Sequence, residues 1–535
     1  MNLIKSRMGL KIAAIIAVWL LATIIFSLAY TQSPLYEGNQ NTKFLHGLAM
    51  ADKGYLKEDW LANTIDPLPA FSYLVYLTAL VNENLFYIQY ALLLGLYILG
   101  VMGILSTLYK DRWTLTKQVA FFALFLLIHS RYAIVRIEKV YDFNIEFLQN
   151  GLAGQYLLGI EFQNSAFGVL LLLSIFAFLK NKYYLAALFL GIATLFHSAY
   201  LFSAALITVA YLLLIFLDNL KASQALRQRS LQKIIQAAKQ PFLLGCFTTI
   251  LVLPVVWHNQ VYLGSTSPQT QAEALHIMVH ERIPHHAVIS SFWDTSHYIQ
   301  LGIILIGLIL AYRSRLFAIM LSLTLGGLLF GAIQVITDSD SLALMAPWRV
   351  SVLLVPLSVS LIIAFLVSTL IDLLHMKDPK FLLLLVPLML YVVVINLRGG
   401  WDLQDSYGSG RKERRLVQMM DTVKKEKQPG DLYLVPPKDN LFDDFRIYTG
   451  APTFITWKSH PYKDVEFLEW NKRVEQADSF YKSSGVEKCN RLEELVKEYG
   501  INHVVFKSKE VPLYCDFAVE THRVENFVVY RIDRP

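Results

Sequence analysis

The chain has 535 residues, 55% of them hydrophobic, with a mean hydropathy of +0.43 and a formal net charge of +6. That balance excludes a water-soluble globule and places most of the chain in lipid. The positive excess does not mark a nucleic-acid binder, because much of it lies in short loops between apolar runs.

Residues 10 to 30 form the first apolar run, after Lys5, Arg7 and Lys11. Its length favours a retained signal anchor over a cleaved signal peptide. Further runs lie near 86 to 108, 118 to 130, 164 to 180, 183 to 197, 200 to 217, 241 to 257, 297 to 312, 316 to 336, 349 to 373 and 381 to 397. Together they predict an all-α polytopic domain of about 11 spans over residues 1 to 397. Basic residues fall on alternate loops: Lys110, Arg112 and Lys117; Lys180 and Lys182; Lys221, Arg227, Arg229, Lys233 and Lys239; Arg313 and Arg315; Lys377 and Lys380. By the positive-inside rule those loops and the N-terminus face the cytoplasm, which leaves the C-terminus outside.

The intervening loops are then outer. Residues 31 to 85 hold Glu37, Asn39, Gln40, His46, Glu58, Asp59 and Asp66, and the spacing of Phe44, Leu45, Leu48 and Ala49 predicts a helix lying at the membrane surface. Residues 70 to 81 are apolar but too few to cross alone. The second outer loop, 131 to 163, carries Arg131, Arg136, Glu138, Lys139, Asp142, Glu146 and Glu161. The third, 258 to 296, carries His276, His280, Glu281, Arg282, His285, His286 and Asp294; the fourth holds Asp338, Asp340, Trp348 and Arg349.

From residue 398 the composition turns polar. Residues 432 to 435, 503 to 506 and 527 to 531 read as strands, and 411 to 427, 464 to 482 and 490 to 499 as helices, which predicts a small α/β domain. Cys489 and Cys515 fall in it; in an oxidising compartment they are a candidate disulfide closing a loop of about 25 residues.

Three sets of side chains can carry chemistry. A carboxylate at a membrane interface can act as a general base or hold a divalent cation, and Glu37, Glu58, Asp59 and Asp66 are placed for it. In the histidine loop, His276 and His280 share a helical face and His285-His286 follow a proline turn, a geometry open to a divalent metal or to hydrogen bonding with a phosphate or sugar. Arg131, Arg136, Arg282 and Arg349 lie at span ends, where a guanidinium could grip a lipid phosphate or simply anchor the helix among headgroups.

The N-inside first helix, the long acidic loop, the sequence Asp66-Pro67-Leu68-Pro69, the many short-looped helices and the C-terminal outer domain together resemble the C-type integral-membrane glycosyltransferases. The run Gly191-Ile192-Ala193-Thr194-Leu195-Phe196-His197 is similar to that superfamily as well. The likeness spans most of the chain by architecture. More closely, Tyr36-Glu37-Gly38-Asn39-Gln40-Asn41, Asp59-Trp60-Leu61-Ala62, Arg282-Ile283-Pro284-His285-His286 and Phe445-Arg446 resemble an uncharacterised bacterial membrane family of the same shape.

The resemblance implies a polyprenyl-phosphate-linked sugar donor, a glycan, lipid or protein acceptor, and work at the outer face of a bacterial inner membrane. It implies an essential acid in the first outer loop, carried here by Glu37 or Asp59. Glu37 is followed by Gly38 where the superfamily commonly has a second acid. Asn39, Gln40, His46, Arg131, Arg136, His197, Arg282, His285, His286 and Arg349 are the expected substrate contacts. Glu58, Asp59, His285 and His286 are the expected ligands of a divalent ion, magnesium or manganese. Rival functions are an envelope polysaccharide polymerase or ligase, a transporter or flippase, and a non-catalytic scaffold; the near-absence of charge within the spans weighs against ion-coupled transport.

Overall fold

The computed structural model describes the chain except residues 1, 224–229, 377–379, 381, 411–413, 508–512 and 534–535. Arg227, Arg229, Lys377 and the start of the helix expected from 411 lie outside the described residues.

Among the described residues each apolar run expected to span is helical. Among the described residues six helical segments are long and apolar enough to cross a membrane: Ala13–Tyr30, Leu85–Arg112, Ser198–Ser223, Leu231–Val261, Arg315–Thr337 and Asp340–Leu373. Leu115–His129 and Arg131–Tyr141, bent by 58° at Ser130, would together make a seventh. Pro69–Val81, Asn164–Leu179, Tyr183–Phe196, Thr295–Ala311 and Leu385–Trp401 are apolar but shorter.

The segment ending at Leu373 is 78% buried over its apolar window and Leu231–Val261 only 22%, so the first is the axis of the bundle and the second an outer wall. That wall exposes Ile250, Leu253 and Trp257. An apolar surface of this extent requires a bilayer against it. Inside the bundle, Leu85–Tyr109 approaches Val169–Leu179 closely because Gly100 and Gly103 face it; a Cβ on Gly103 would lie 2.8 Å from the Phe176 ring.

At one end of the bundle the four loops converge. The expected surface helix forms as two short pieces, Gln40–Lys43 and Leu45–Met50, but its apolar face does not lie on lipid. Phe44, Leu45 and Leu48 are fully buried, and the Phe44 ring packs on Phe71, Phe86 and Phe162 at 5.8, 4.7 and 6.1 Å. Its amphipathic pattern serves the protein core, because the C-terminal domain covers the polar side.

That domain is a four-stranded sheet: β1 (Tyr433–Leu434), β2 (His503–Lys507), β3 (Ala518–Val524) and β4 (Phe527–Ile532), in the order β1-β2-β4-β3. β1 and β2 are parallel; the other pairs are antiparallel. Alternation divides the side chains. Val504, Phe506, Val528 and Tyr530 pack with residues of helices Asp464–Lys482 and Gly485–Tyr499, whereas Val505, Phe527 and Val529 pack with those of Arg414–Glu426. Cys489 and Cys515 are joined in a disulfide, with their Cα atoms 5.6 Å apart.

The domain is seated firmly on the first loop. Gly54 and Gly450, both at positive φ (58° and 67°), meet so closely that a Cβ on Gly54 would lie 2.4 Å from the Gly450 carbonyl oxygen, which already accepts the Tyr55 amide at 2.8 Å.

Candidate functional site

Asp59, expected as base or metal ligand, is neither. It is completely buried; its Oδ2 accepts Arg446 Nε at 2.6 Å and the Thr453 amide at 2.8 Å, and its Oδ1 accepts the Leu61 amide at 2.9 Å. Oδ2 serves the joint between the first loop and the C-terminal domain, and Oδ1 holds the first loop's own turn. Glu58 serves it too, accepting the Gly430 amide at 2.8 Å. Among the described residues Glu58, Asp59, His285 and His286 do not gather into a metal-holding group of three or more.

Glu37 is half-buried between two left-handed residues, Tyr36 (φ 71°) and Gly38 (φ 58°). A Cβ on Gly38 would stand 2.8 Å from Glu161 Oε1, so the glycine makes room for a carboxylate from the second loop. Glu161 is 7% exposed, accepts the Asn39 amide at 3.3 Å and the Tyr156 hydroxyl at 3.5 Å, and lines a cavity of about 380 Å³ with Tyr30, His129, Arg131, Glu146 and Tyr156. Burial pushes its carboxyl above the usual range, against the pull of those hydrogen bonds and of Lys458.

Lys458, which acts on Glu161, belongs to a group of cations. Lys43 ends the first-loop helix, Arg282 ends a wide turn at Ile277–Arg282, Arg349 sits in the Pro347–Val350 turn, and Lys458 comes from the C-terminal domain. Lys43, Arg282 and Arg349 converge on Tyr462, and Lys458 meets Arg282 in the field of Asp443. Lys43 Nζ donates to the Tyr462 hydroxyl at 2.7 Å. Burial alone would raise that phenol, yet Lys43, Arg282 and Arg349 bring it below its ordinary value. Arg282 Nη2 donates to the Lys458 carbonyl at 2.8 Å and its guanidinium lies 5.4 Å from the Trp457 ring centre, while its Nε is buried without a partner. Arg349 Nε donates to Gln155 Oε1 at 2.5 Å, and the Gln155 amide nitrogen is likewise buried and unpartnered.

Among the described residues none of these four cations forms an ion pair with a carboxylate. Lys458 and Arg282 both act on Asp443, half-buried, whose carboxyl is pushed up to about 6 by burial against their opposing pull. The surrounding imidazoles stay neutral. His286 is lowered to about 4 by burial and then by His285, Arg349 and Arg282; His460 is lowered to about 3 by burial and then by Arg282, Lys43 and Lys458.

The remaining expected contacts divide. His197 pairs with Asn164 at 2.8 Å and lies in the field of Arg349 and Lys43. His286 Nδ1 bonds the Ala153 carbonyl at 2.8 Å, and its ring lies against that of His285, tilted by 50° with centres 4.2 Å apart. His46 bonds the Thr64 carbonyl at 3.2 Å and lines a narrow crevice under Tyr462. Gln40 holds the loop together, accepting the Tyr36 amide at 2.6 Å and donating to the Phe162 carbonyl at 3.0 Å. Asn39 bridges to Tyr156 at 2.9 Å. Arg131 is paired with Glu146 at the cavity wall, and Arg136 is exposed against Tyr132, apart from the four cations.

Residues 414–477 match a family described as a domain of unknown function, DUF6798. That stretch supplies Asp443, Arg446, Lys458, His460 and Tyr462, and so both the anchor of the C-terminal domain and its share of the cationic group. A comparison with curated proteins finds no match.

Proposed function

We propose that this protein is a membrane glycosyltransferase that takes a sugar from a polyprenyl-phosphate-type donor and passes it to an envelope glycan, lipid or protein at the outer face of a bacterial inner membrane. The observation that carries the reading is the grouping of Lys43, Arg282, Arg349 and Lys458, among the described residues unpaired by carboxylates, with Lys458 in the field of the buried carboxylate of Glu161. Gathering positive charge in a half-buried place is costly unless an anion joins it, and guanidinium geometry suits a phosphate. The unpartnered Nε of Arg282 and amide of Gln155 are donors for its oxygens.

On this reading the acceptor hydroxyl attacks the anomeric carbon while its proton passes to Glu161, and the bond from that carbon to the phosphate oxygen breaks. The departing polyprenyl phosphate keeps the electron pair, and the cations stabilise its charge. Burial makes Glu161 a stronger base than an exposed carboxylate. Its position beside Gly38 supports a shift of the acid from the first loop to the second, with Glu37 as the alternative base. The expected metal ligands do not fit a shared ion, and no step is routed through one. The alternating basic loops and the Cys489–Cys515 disulfide support an outer location for the C-terminal domain.

The excess of arginine and histidine over carboxylate also suits a polysaccharide polymerase or ligase. Transfer of radiolabelled sugar from polyprenyl phosphate to envelope acceptors, in proteoliposomes, separates the two. A transferase with Glu161 as base loses activity in Glu161→Gln; activity that survives both Glu161→Gln and Glu37→Gln removes the carboxylate mechanism.

A further inference from the structure

A second constellation lies outside the cationic group. His276 closes helix Pro268–His276, His280 lies one turn on, and Asp340 opens helix Asp340–Met345 in the fourth loop. One ligand atom from each falls within 4.8 Å of the other two. His280 Nε2 stands 2.9 Å from Asp340 Oδ1, and His276 Nδ1 stands 3.7 Å from Oδ2, so one carboxylate is shared between two imidazoles. The two rings are 4.6 Å apart.

We propose that His276, His280 and Asp340 form a zinc site that ties the third loop to the fourth. Two neutral imidazoles and a carboxylate are a common zinc donor set, and tetrahedral zinc with bonds of about 2.0 Å needs ligand atoms about 3.3 Å apart, which small side-chain rotations supply here. The backbone is arranged for it: residues 277–282 form a π-type turn, a wide helical turn that recurs at functional sites. Entry is open, because the side chains are 65%, 36% and 26% exposed. Three protein ligands leave one position for water.

The placement gives the site a consequence. Arg282 follows His280 by two residues, and Arg349 follows Asp340 by nine. A metal joining His280 to Asp340 therefore fixes the spacing of the two loops that deliver the arginines of the cationic group. This inference stands on its own ligand geometry and survives if the glycosyltransferase reading fails.

The test uses the full chain in detergent micelles, stripped with chelator, with zinc binding measured by competition against a chromogenic chelator and cobalt substitution followed by visible absorption. One zinc per chain is expected, with affinity falling more than about tenfold in His280→Ala and in the near-isosteric Asp340→Asn, and unchanged in His285→Ala. Zinc should also slow proteolysis of residues 258–296 in the wild type and not in His276→Ala/His280→Ala. No stoichiometric zinc binding, or binding that survives the double substitution or depends on His285, overturns the proposal.

Discussion

Asp59 and Arg446 stand 387 residues apart in the chain and meet in an ion pair from which water is shut out, Nε to Oδ2 at 2.6 Å with side chains 0% and 2% exposed. Arg446 also donates to the Thr453 carbonyl at 3.0 Å, so the pair is hydrogen-bonded on both sides. Removing one partner leaves a buried charge uncompensated. Arg446→Ala and Asp59→Ala should each cost about 3–5 kcal/mol at this joint. Limited proteolysis should then release the C-terminal domain, whereas Asp59→Leu/Arg446→Met should be markedly less damaging than either single change. Equal protease resistance in all variants would show that the joint is held elsewhere.

Arg282 and Arg349 are argued to hold a phosphate. Each alanine substitution should lower sugar transfer by about 100-fold, the scale of losing one charge-assisted contact to a leaving group. Lysine should restore part of it, because the charge returns but the paired donors do not. Arg136→Ala, at an exposed arginine apart from the group, should leave transfer unchanged. The comparison is made by initial rates in proteoliposomes.

Asp443 gives a pH-dependent signature. Its carboxyl is raised to about 6 by burial, so the folded state holds the proton more tightly than the unfolded chain. Stability therefore increases as pH falls from above 6 toward the unfolded carboxylate value near 4, and the penalty of the charged form is fully present above 6. Asp443→Asn should raise the unfolding temperature at pH 8 by about 2–4 °C, with the gain vanishing near pH 4. A gain that is constant with pH would mean that the charge is not the cause.

The disulfide should matter for the C-terminal domain alone. Cys489 and Cys515 are 26 residues apart, and opening a loop of that size costs about 3 kcal/mol. Cys489→Ser/Cys515→Ser should destabilise the sheet domain, read as faster amide exchange in β2 and β4, while exchange in the spans stays unchanged.

The helical runs were legible because uninterrupted apolar stretches admit few alternatives in lipid, and β1, β2 and β4 were legible because both of their faces are buried. β3 was missed, since Ala518–Val524 is a polar edge strand whose one buried neighbour is β4. The surface helix was found but assigned to the wrong partner, because Phe44, Leu45 and Leu48 look the same whether they meet lipid or a protein core. Arg282 and Arg349 were anticipated from their places at span ends. Lys43, Glu161, Asp443 and Tyr462 were not, because they come together only when the second loop and the C-terminal domain fold over the first. Gly38 was the one local sign: an interruption where a second acid was expected, explained by the carboxylate of Glu161 filling the space. Asp59 shows the converse, an acid in a promising place whose work is to bond Arg446.

The claim on which the account rests is that a lipid phosphate is held between Lys43, Arg282, Arg349 and Lys458. A photoactivatable polyprenyl phosphate, crosslinked to the protein in bilayers and mapped by mass spectrometry, tests it directly. The account predicts labelling within residues 40–46, 282–286 and 457–462 that is competed by unlabelled polyprenyl phosphate and lost in Arg282→Ala/Arg349→Ala. Labelling confined to lipid-facing spans such as Leu231–Val261, or unaffected by the arginine substitutions, would contradict it.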